Sequence, residues 1–309
     1  MESVPVRLVY ITNEDPNSQC DYQEVSMLHG LREVLGDNCI DFPRKKIMYG
    51  DFSESPKNEL HGWGFSLLTE PIAEVENREL KDIDFVLYGV TDAYGVKNNP
   101  VIDRLAKHGV WYLDGHDHSN ITRTPCFKRE LYKFGQLEKD QNVFPTGFGI
   151  PEHRIMPLNF DNKTQVIQKT APPYAAFGPQ ILGPAARQLY VFNNEEEYYQ
   201  DMHRSLFGLT SMKGGWDSLR HYEILASGAC LLFRDYDRKP KPCAPQELPC
   251  FSYNSVQDLE NLFKRLIVDD KPTQEYIDMV CAQREWLWTC GTTKARAIKL
   301  LEVLNEQLS

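Results

Sequence analysis

Apolar positions recur along the chain with two different periods. Val6-Arg7-Leu8-Val9-Tyr10-Ile11-Thr12 is a β-branched and aromatic run that stops at Asn13-Glu14-Asp15-Pro16, and from Tyr22 to Leu35 the apolar residues return at helical spacing. A first strand and a first helix are predicted. The alternation continues as strand Cys39 to Phe42, strand Ile83 to Val90, helix Pro100 to Lys107 stopped by Gly109, and strand Val110 to Leu113. Strands alternating with helices predict a parallel sheet. Residues 44 to 80, with Gly50, Gly62 and Gly64, form a long irregular insertion, a kind of loop more often functional than accidental.

From Pro145 to Pro184 the chain is dense in Pro and Gly and the periodicity fades, which sets a domain boundary there. A second alternation follows: helix Glu195 to His203, strand Ser205 to Leu209, helix Trp216 to Ser227, strand Cys230 to Arg234 and strand Cys250 to Tyr253. Two similar α/β lobes are the simplest outcome, covering residues 1–157 and 158–309. The tail reads as helix from Val256 to Val268 and from Gln274 to Leu308, with a break at Gly291. No internal repeat is visible.

Length and charge narrow the function. A chain of 309 residues suits about two domains, and 34 Lys plus Arg against 44 Asp plus Glu give a net charge of −10. An acidic chain is a poor nucleic-acid binder, so any phosphate site must be local. The first residues, MESVPVRLVY, lack a basic segment followed by an apolar stretch, and there is no run of 18 apolar residues. Neither a signal peptide nor a transmembrane segment is expected, and a cytoplasmic location follows. The eight cysteines form no C-x-x-C pair and show no metal-ligand spacing with histidines, so free thiols are expected rather than zinc or iron–sulfur sites. The sequons at Asn120 and Asn162 are read as chance.

Candidate chemistry concentrates after the predicted strand that starts at Ser205. Ser211-Met212-Lys213-Gly214-Gly215 lies between a strand and a helix, at the carboxyl end of a parallel sheet, where open α/β folds place ligands. Gly214 and Gly215 let backbone N–H groups approach an anion, the helix N-terminus adds partial positive charge, and Lys213 adds a full one. The bland alternative is a tight turn. The helix continues Trp216-Asp217-Ser218-Leu219-Arg220-His221-Tyr222-Glu223-Ile224-Leu225-Ala226-Ser227-Gly228. Arg220 and Glu223, three apart, are neighbours on the helix, with Leu219, Tyr222, Leu225 and Ala226 as the core-facing stripe. They are either a surface pair, or Arg220 faces a diphosphate while Glu223 accepts hydrogen bonds from two ribose hydroxyls.

This segment resembles the donor-binding helix of GT-B glycosyltransferases, particularly the exostosin-like and group 1 types, whose Ser-x-Arg-x-x-Glu-Ala-Leu-x-x-Gly pattern is followed by a strand. Here Ile224 replaces the Ala. The resemblance implies two Rossmann-like lobes, a C-terminal helix crossing back to the first lobe, and a nucleotide-sugar donor, expected to be UDP-linked. It implies no required metal or other cofactor, and it places Glu223 at the ribose. Phe127-Lys128-Arg129-Glu130-Leu131 and Thr292-Thr293-Lys294-Ala295-Arg296-Ala297 are similar to segments of short members of this group. Lys128 and Arg129 then either help with donor phosphates or form a solvated basic helix end.

Inversion is the expected course, with retention, which can dispense with a side-chain base, as the alternative. Metal-independent transfer with inversion needs a base for the acceptor hydroxyl, expected from the first lobe. Asp92 follows Leu87-Tyr88-Gly89-Val90-Thr91, and Tyr88 and Tyr94 flank it, so it comes first. Its alternative role is a turn cap before Pro100. Asp114 or Asp117, acting alone or orienting His116, is the rival. The Asp114-Gly115-His116-Asp117-His118 run as a metal site is disfavoured because its ligands crowd in sequence. Gly62-Trp63-Gly64-Phe65 is either an acceptor-side stacking loop or a packed lid. Transfer of a hexosyl or pentosyl unit to a hydroxyl of a glycan or other acceptor is the leading expectation. A non-catalytic nucleotide- or sugar-binding module of the same fold is the alternative. NAD-dependent chemistry is disfavoured because no G-x-G-x-x-G turn follows the first strand.

Overall fold

The computed structural model describes residues 6–12, 22–51, 71–90, 98–131, 142–161, 163–169, 171, 192 and 195–308. Two compact units emerge, Met1–Pro151 with Pro242–Ala244 and Thr292–Ser309, and Glu152–Lys241 with Pro245–Gly291.

The first unit contains strands β1 (Leu8–Ile11), β2 (Cys39–Phe42), β3 (Phe85–Val90), β4 (Val110–Asp114), β5 (Cys126–Lys128) and β6 (Val143–Pro145). They form one parallel sheet in the order β2-β1-β3-β4-β5-β6. The strands read as nearly continuous apolar runs because both faces are covered. Leu8, Tyr10, Phe85 and Leu87 enter one core with helix α1 (Tyr22–Leu35), while Val9, Ile11, Val86 and Tyr88 enter another with Ile102. The predicted helix from Pro100 is a single turn, α2 (Pro100–Asp103), in which the Asn99 side chain caps the N–H groups of Val101 and Ile102. The order reverses direction between β1 and β3, the switch point at which such sheets bind ligands. Asp92 and Gly62-Trp63-Gly64-Phe65 lie outside the described residues.

In the second unit, β7 (Gln165–Ile167), β8 (Ser205–Ser211), β9 (Cys230–Arg234) and β10 (Phe251–Tyr253) form a parallel sheet in the order β10-β9-β8-β7. Helix α3 (Glu195–His203) leads into β8, α4 (Leu219–Ala226) joins β8 to β9, and α5 (Val256–Leu266) follows β10. The tail helix predicted to Val268 ends at Leu266. There Asp269 and Asp270, both at positive φ, turn the chain into a short antiparallel hairpin, β11 (Ile267–Val268) with β12 (Lys271–Pro272). Two successive left-handed residues match the twist of a tight hairpin. Helix α6 (Gln274–Trp286) then packs Tyr276 and Val280 into the second core.

After a wide turn at Leu287–Gly291, Thr292 caps the last helix, α7 (Thr293–Asn305), by accepting from the Ala295 N–H at 3.0 Å. This helix belongs to the first unit: Ala297, Leu300, Leu301 and Leu304 join its core. Gly30 lets α1 come close to the start of α7, because a Cβ there would lie 2.0 Å from the Thr293 carbonyl oxygen. Among the described residues, no helix is long and apolar enough to cross a membrane.

Candidate functional site

Ser211 ends β8 and pairs in register with Arg234, the last residue of β9, so both strands run out at one carboxyl edge. A cleft of about 470 Å³ opens there. Ser211, Met212, Lys213 and Trp216 line it from β8 and the following loop, and Arg234, Asp235 and Arg238 from β9 and the following turn. The volume suits a small-molecule ligand. Lys213 and Gly214 are exposed, whereas Gly215, Trp216 and Asp217 are buried and Ser218 is half-buried.

His221, in the first turn of α4, holds this loop. Its Nε2 donates to the Trp216 carbonyl at 3.0 Å; a carbonyl can only accept, so Nδ1 is the acceptor for the Thr210 hydroxyl, also at 3.0 Å. One imidazole therefore ties the loop to β8. Burial pushes it down to about 4, which keeps it neutral. Tyr222 donates to Asp217 Oδ1 at 3.0 Å, and Ser218 occupies the N-cap without its side chain accepting from the helix. At the other end of α4, Gly228 turns left-handed at φ 71°. Arg284 donates to the Leu225 and Ala226 carbonyls and Lys163 to that of Gly228. Two cations at a helix C-terminus complement its dipole, although burial lowers Lys163 to about 8 and Arg284 to about 10.

The helix is buried on more of its surface than its charge pattern predicts. Arg220 is half-buried, but Glu223 is only 4% exposed. Glu223 Oε2 accepts from Tyr198 at 2.5 Å, and Oε1 from Tyr199 at 3.4 Å. The expected open, paired face is thus closed on the Glu223 side by α3. Burial raises the carboxyl, against the opposing effects of the Tyr198 hydrogen bond and the Arg220 charge. Ile224, which replaces the pattern's Ala, fits because β8 carries Gly208 opposite: a Cβ at Gly208 would lie 2.2 Å from Ile224 Cγ2.

In the first unit the chain brings Asp114, His116, Asp117, Lys128 and Arg129 together. Asp114 ends β4 in register with Lys128 of β5, and its Oδ1 lies 2.9 Å from Lys128 Nζ. The same oxygen accepts from His116 Nδ1 at 2.7 Å and from the His116 amide at 3.0 Å. This pairing puts the neutral imidazole's proton on Nδ1 and makes Nε2 its basic nitrogen. Burial by itself would raise the Asp114 carboxyl, but the His116 hydrogen bonds and the Lys128 charge hold it below its ordinary value. Lys128 and Arg129 are not a solvated helix end: both are buried, Lys128 at the end of a strand. Arg129 donates to the Gly115 carbonyl from Nε and Nη2 at 3.2 and 2.9 Å and pairs with Asp117 and Glu130. It clamps the 114–118 loop. Among the described residues, no group of three His, Cys, Asp or Glu side chains is placed to hold a metal ion.

Sequence reasoning missed Arg234 and Arg238. Arg234 was legible as the last residue of a predicted strand at a ligand-binding edge.

No family model matches the chain, and no curated protein does. Solved structures do. AviGT4, a glycosyltransferase involved in avilamycin A biosynthesis, aligns over 98% of this chain and 98% of its own, with 12% identity and a TM-score of 0.49. A glycosyltransferase from Rickettsia africae ESF-5 aligns over 98% and 99%, with 9% identity and a TM-score of 0.53. At such identity the likeness is one of fold, and with the two parallel-sheet units it makes this chain a two-lobed Rossmann-like protein of the GT-B fold class.

Proposed function

We propose that the protein is a glycosyltransferase that moves a sugar from a nucleotide diphosphate donor, of which a UDP-sugar is the expected form, to a hydroxyl of a glycan or other acceptor. The observation that carries this reading is the position of Ser218-x-Arg220-x-x-Glu223: it opens the helix that leaves the ligand-binding edge of a parallel sheet, beside a cationic cleft. In this reading the backbone at Gly214 and Gly215, the start of α4, Lys213 and Arg220 stabilise the departing diphosphate without a metal. Trp216, Asp217 and Ser218 shape the loop, and Glu223 meets the ribose once the tyrosines exchange their hydrogen bonds for those of the sugar. The exostosin-like and group 1 affinity rests on the same motif.

Inverting transfer needs a base. Asp92, which follows the β3 segment in the sequence, stays the first candidate. The His116–Asp114 pair has the geometry of an oriented imidazole, with Asp114 as positioning residue. Asp117 is tied to Arg129, which leaves it a lesser candidate, and Lys128 and Arg129 act on this loop or on donor phosphates.

A thermal-shift screen against UDP-, GDP-, ADP- and CMP-sugars, followed by assays of transfer and donor hydrolysis with and without EDTA, tests the proposal. One nucleotide sugar should raise the melting temperature, and turnover should survive the chelator. Binding without transfer or hydrolysis would favour the non-catalytic module, and activity lost in EDTA and restored by Mn²⁺ would refute metal independence.

A further inference from the structure

Two arginines at the end of β9 lie outside the motif that carries the proposed function. Arg234 closes the strand, and Arg238 closes the turn that follows. Between them Asp235 sits at φ 60°, a left-handed conformation that Asp tolerates better than most residues. Its amide donates to the Tyr253 carbonyl of β10 at 3.0 Å, and its own carbonyl accepts from the Arg238 amide at 2.9 Å, so the reversal is fixed at both ends. The reversal returns both guanidinium groups to one carboxylate: Asp235 Oδ2 lies 3.4 Å from Arg234 Nε, and Oδ1 lies 3.3 Å from Arg238 Nη1.

Lys213 brings a third cation to the same cleft from the loop after β8. Among the described residues that line the cleft, three are cationic and one is a carboxylate, in a chain whose net charge is −10. Both pairs are long, and the Arg238 side chain is 69% exposed, which makes its pair the weak surface kind, while the Arg234 and Asp235 side chains are 31% and 30% exposed. A phosphate group offers guanidinium groups more acceptor oxygens, in a geometry they match bidentately. Met212 and Trp216 add apolar surface for the rest of a ligand.

We propose that Arg234 and Arg238, with Lys213, bind the phosphate groups of an organic diphosphate, and that Asp235 is the internal counter-ion which the ligand displaces. The identity of the organic part rests on the glycosyltransferase reading, whereas the anion site does not.

Calorimetric titration of the full chain with inorganic pyrophosphate at low ionic strength tests the site. Arg234→Gln and Arg238→Gln should each weaken binding about tenfold. Asp235→Asn keeps the side-chain shape and the tolerance of positive φ, and it should tighten binding several-fold. A purely structural Asp235 gives no such gain. Arg238→Gln alters an exposed side chain, and a melt will verify that its fold is intact. Absence of pyrophosphate binding by the wild type, unchanged affinity in both arginine variants, or weaker binding by Asp235→Asn overturns the proposal. A parallel titration with a UDP-sugar separates the two readings. If both arginine variants bind it normally, the anion site falls and the transferase reading stands. If pyrophosphate behaves as expected but no nucleotide sugar binds, the anion site stands and the transferase reading falls.

Discussion

Protonating His221 removes the lone pair that accepts from Thr210, so the loop of Lys213 and Trp216 is coupled to pH through one buried ring. Its folded-state value of about 4 lies below the ordinary 6.5. The stability it contributes is therefore complete above pH 6.5 and is lost as the pH falls towards 4, by about 3 kcal/mol in all. Urea denaturation at pH 7 and pH 4.5 should show a smaller loss in His221→Gln than in the wild type; equal losses would contradict this assignment. Glu223 was legible as a functional candidate, but its burial was not, because the tyrosines that cover it come from another helix, α3. Glu223→Ala should accordingly do two things: weaken donor binding, and lower stability by about 1–3 kcal/mol by leaving hydroxyls unsatisfied. An unchanged melting temperature would count against the second effect. For the base, Asp92→Asn should slow turnover by about 10²–10⁴-fold with donor affinity nearly normal. Run beside it, His116→Gln and Asp117→Asn decide the rivalry: an inactive His116→Gln that still binds donor moves the base to the His116–Asp114 pair. Asp114→Asn needs a melt alongside, since it leaves the buried Lys128 without its counter-charge.

Most of the longer elements could be read from the sequence because they exceed one period of their pattern, as the 14 residues of α1 do. Of the three-residue strands, β10 was read within Cys250 to Tyr253, but β5, β6 and β7 could not be. A run that short shows no alternation, and neighbouring strands define it. The motif helix also starts later than its pattern suggests, at Leu219 rather than Trp216, because Trp216 and Asp217 are fixed by side chains of α4 instead of by helical hydrogen bonding. The Gly208–Ile224 contact explains how the motif tolerates its one departure from the family pattern. Gly208→Ala should destabilise by about 1–3 kcal/mol through overpacking, and Ile224→Ala, which removes the three atoms nearest the new methyl, should recover much of that in the double variant. Additive losses in a double-mutant cycle would show that the two residues do not compensate each other.

The first unit is assembled from pieces far apart in sequence: its sheet lies before Pro151, but the core beneath it includes Ala297, Leu300, Leu301 and Leu304. A buried Leu contributes about 1.5–3 kcal/mol, and a domain has about 5–15 kcal/mol in total, so a chain truncated after Gly291 should lose the first unit. Hydrogen exchange should then show α1 and β1 unprotected and β8 and β9 still protected; protection of α1 in the truncated chain would refute this. The feature bears on biosynthesis as well. Proteins commonly fold from the N-terminus as they leave the ribosome. Here, the strands made before Pro151 must wait for α7, made after Gly291, so the nascent first unit needs to be kept from aggregating until Leu304 has emerged.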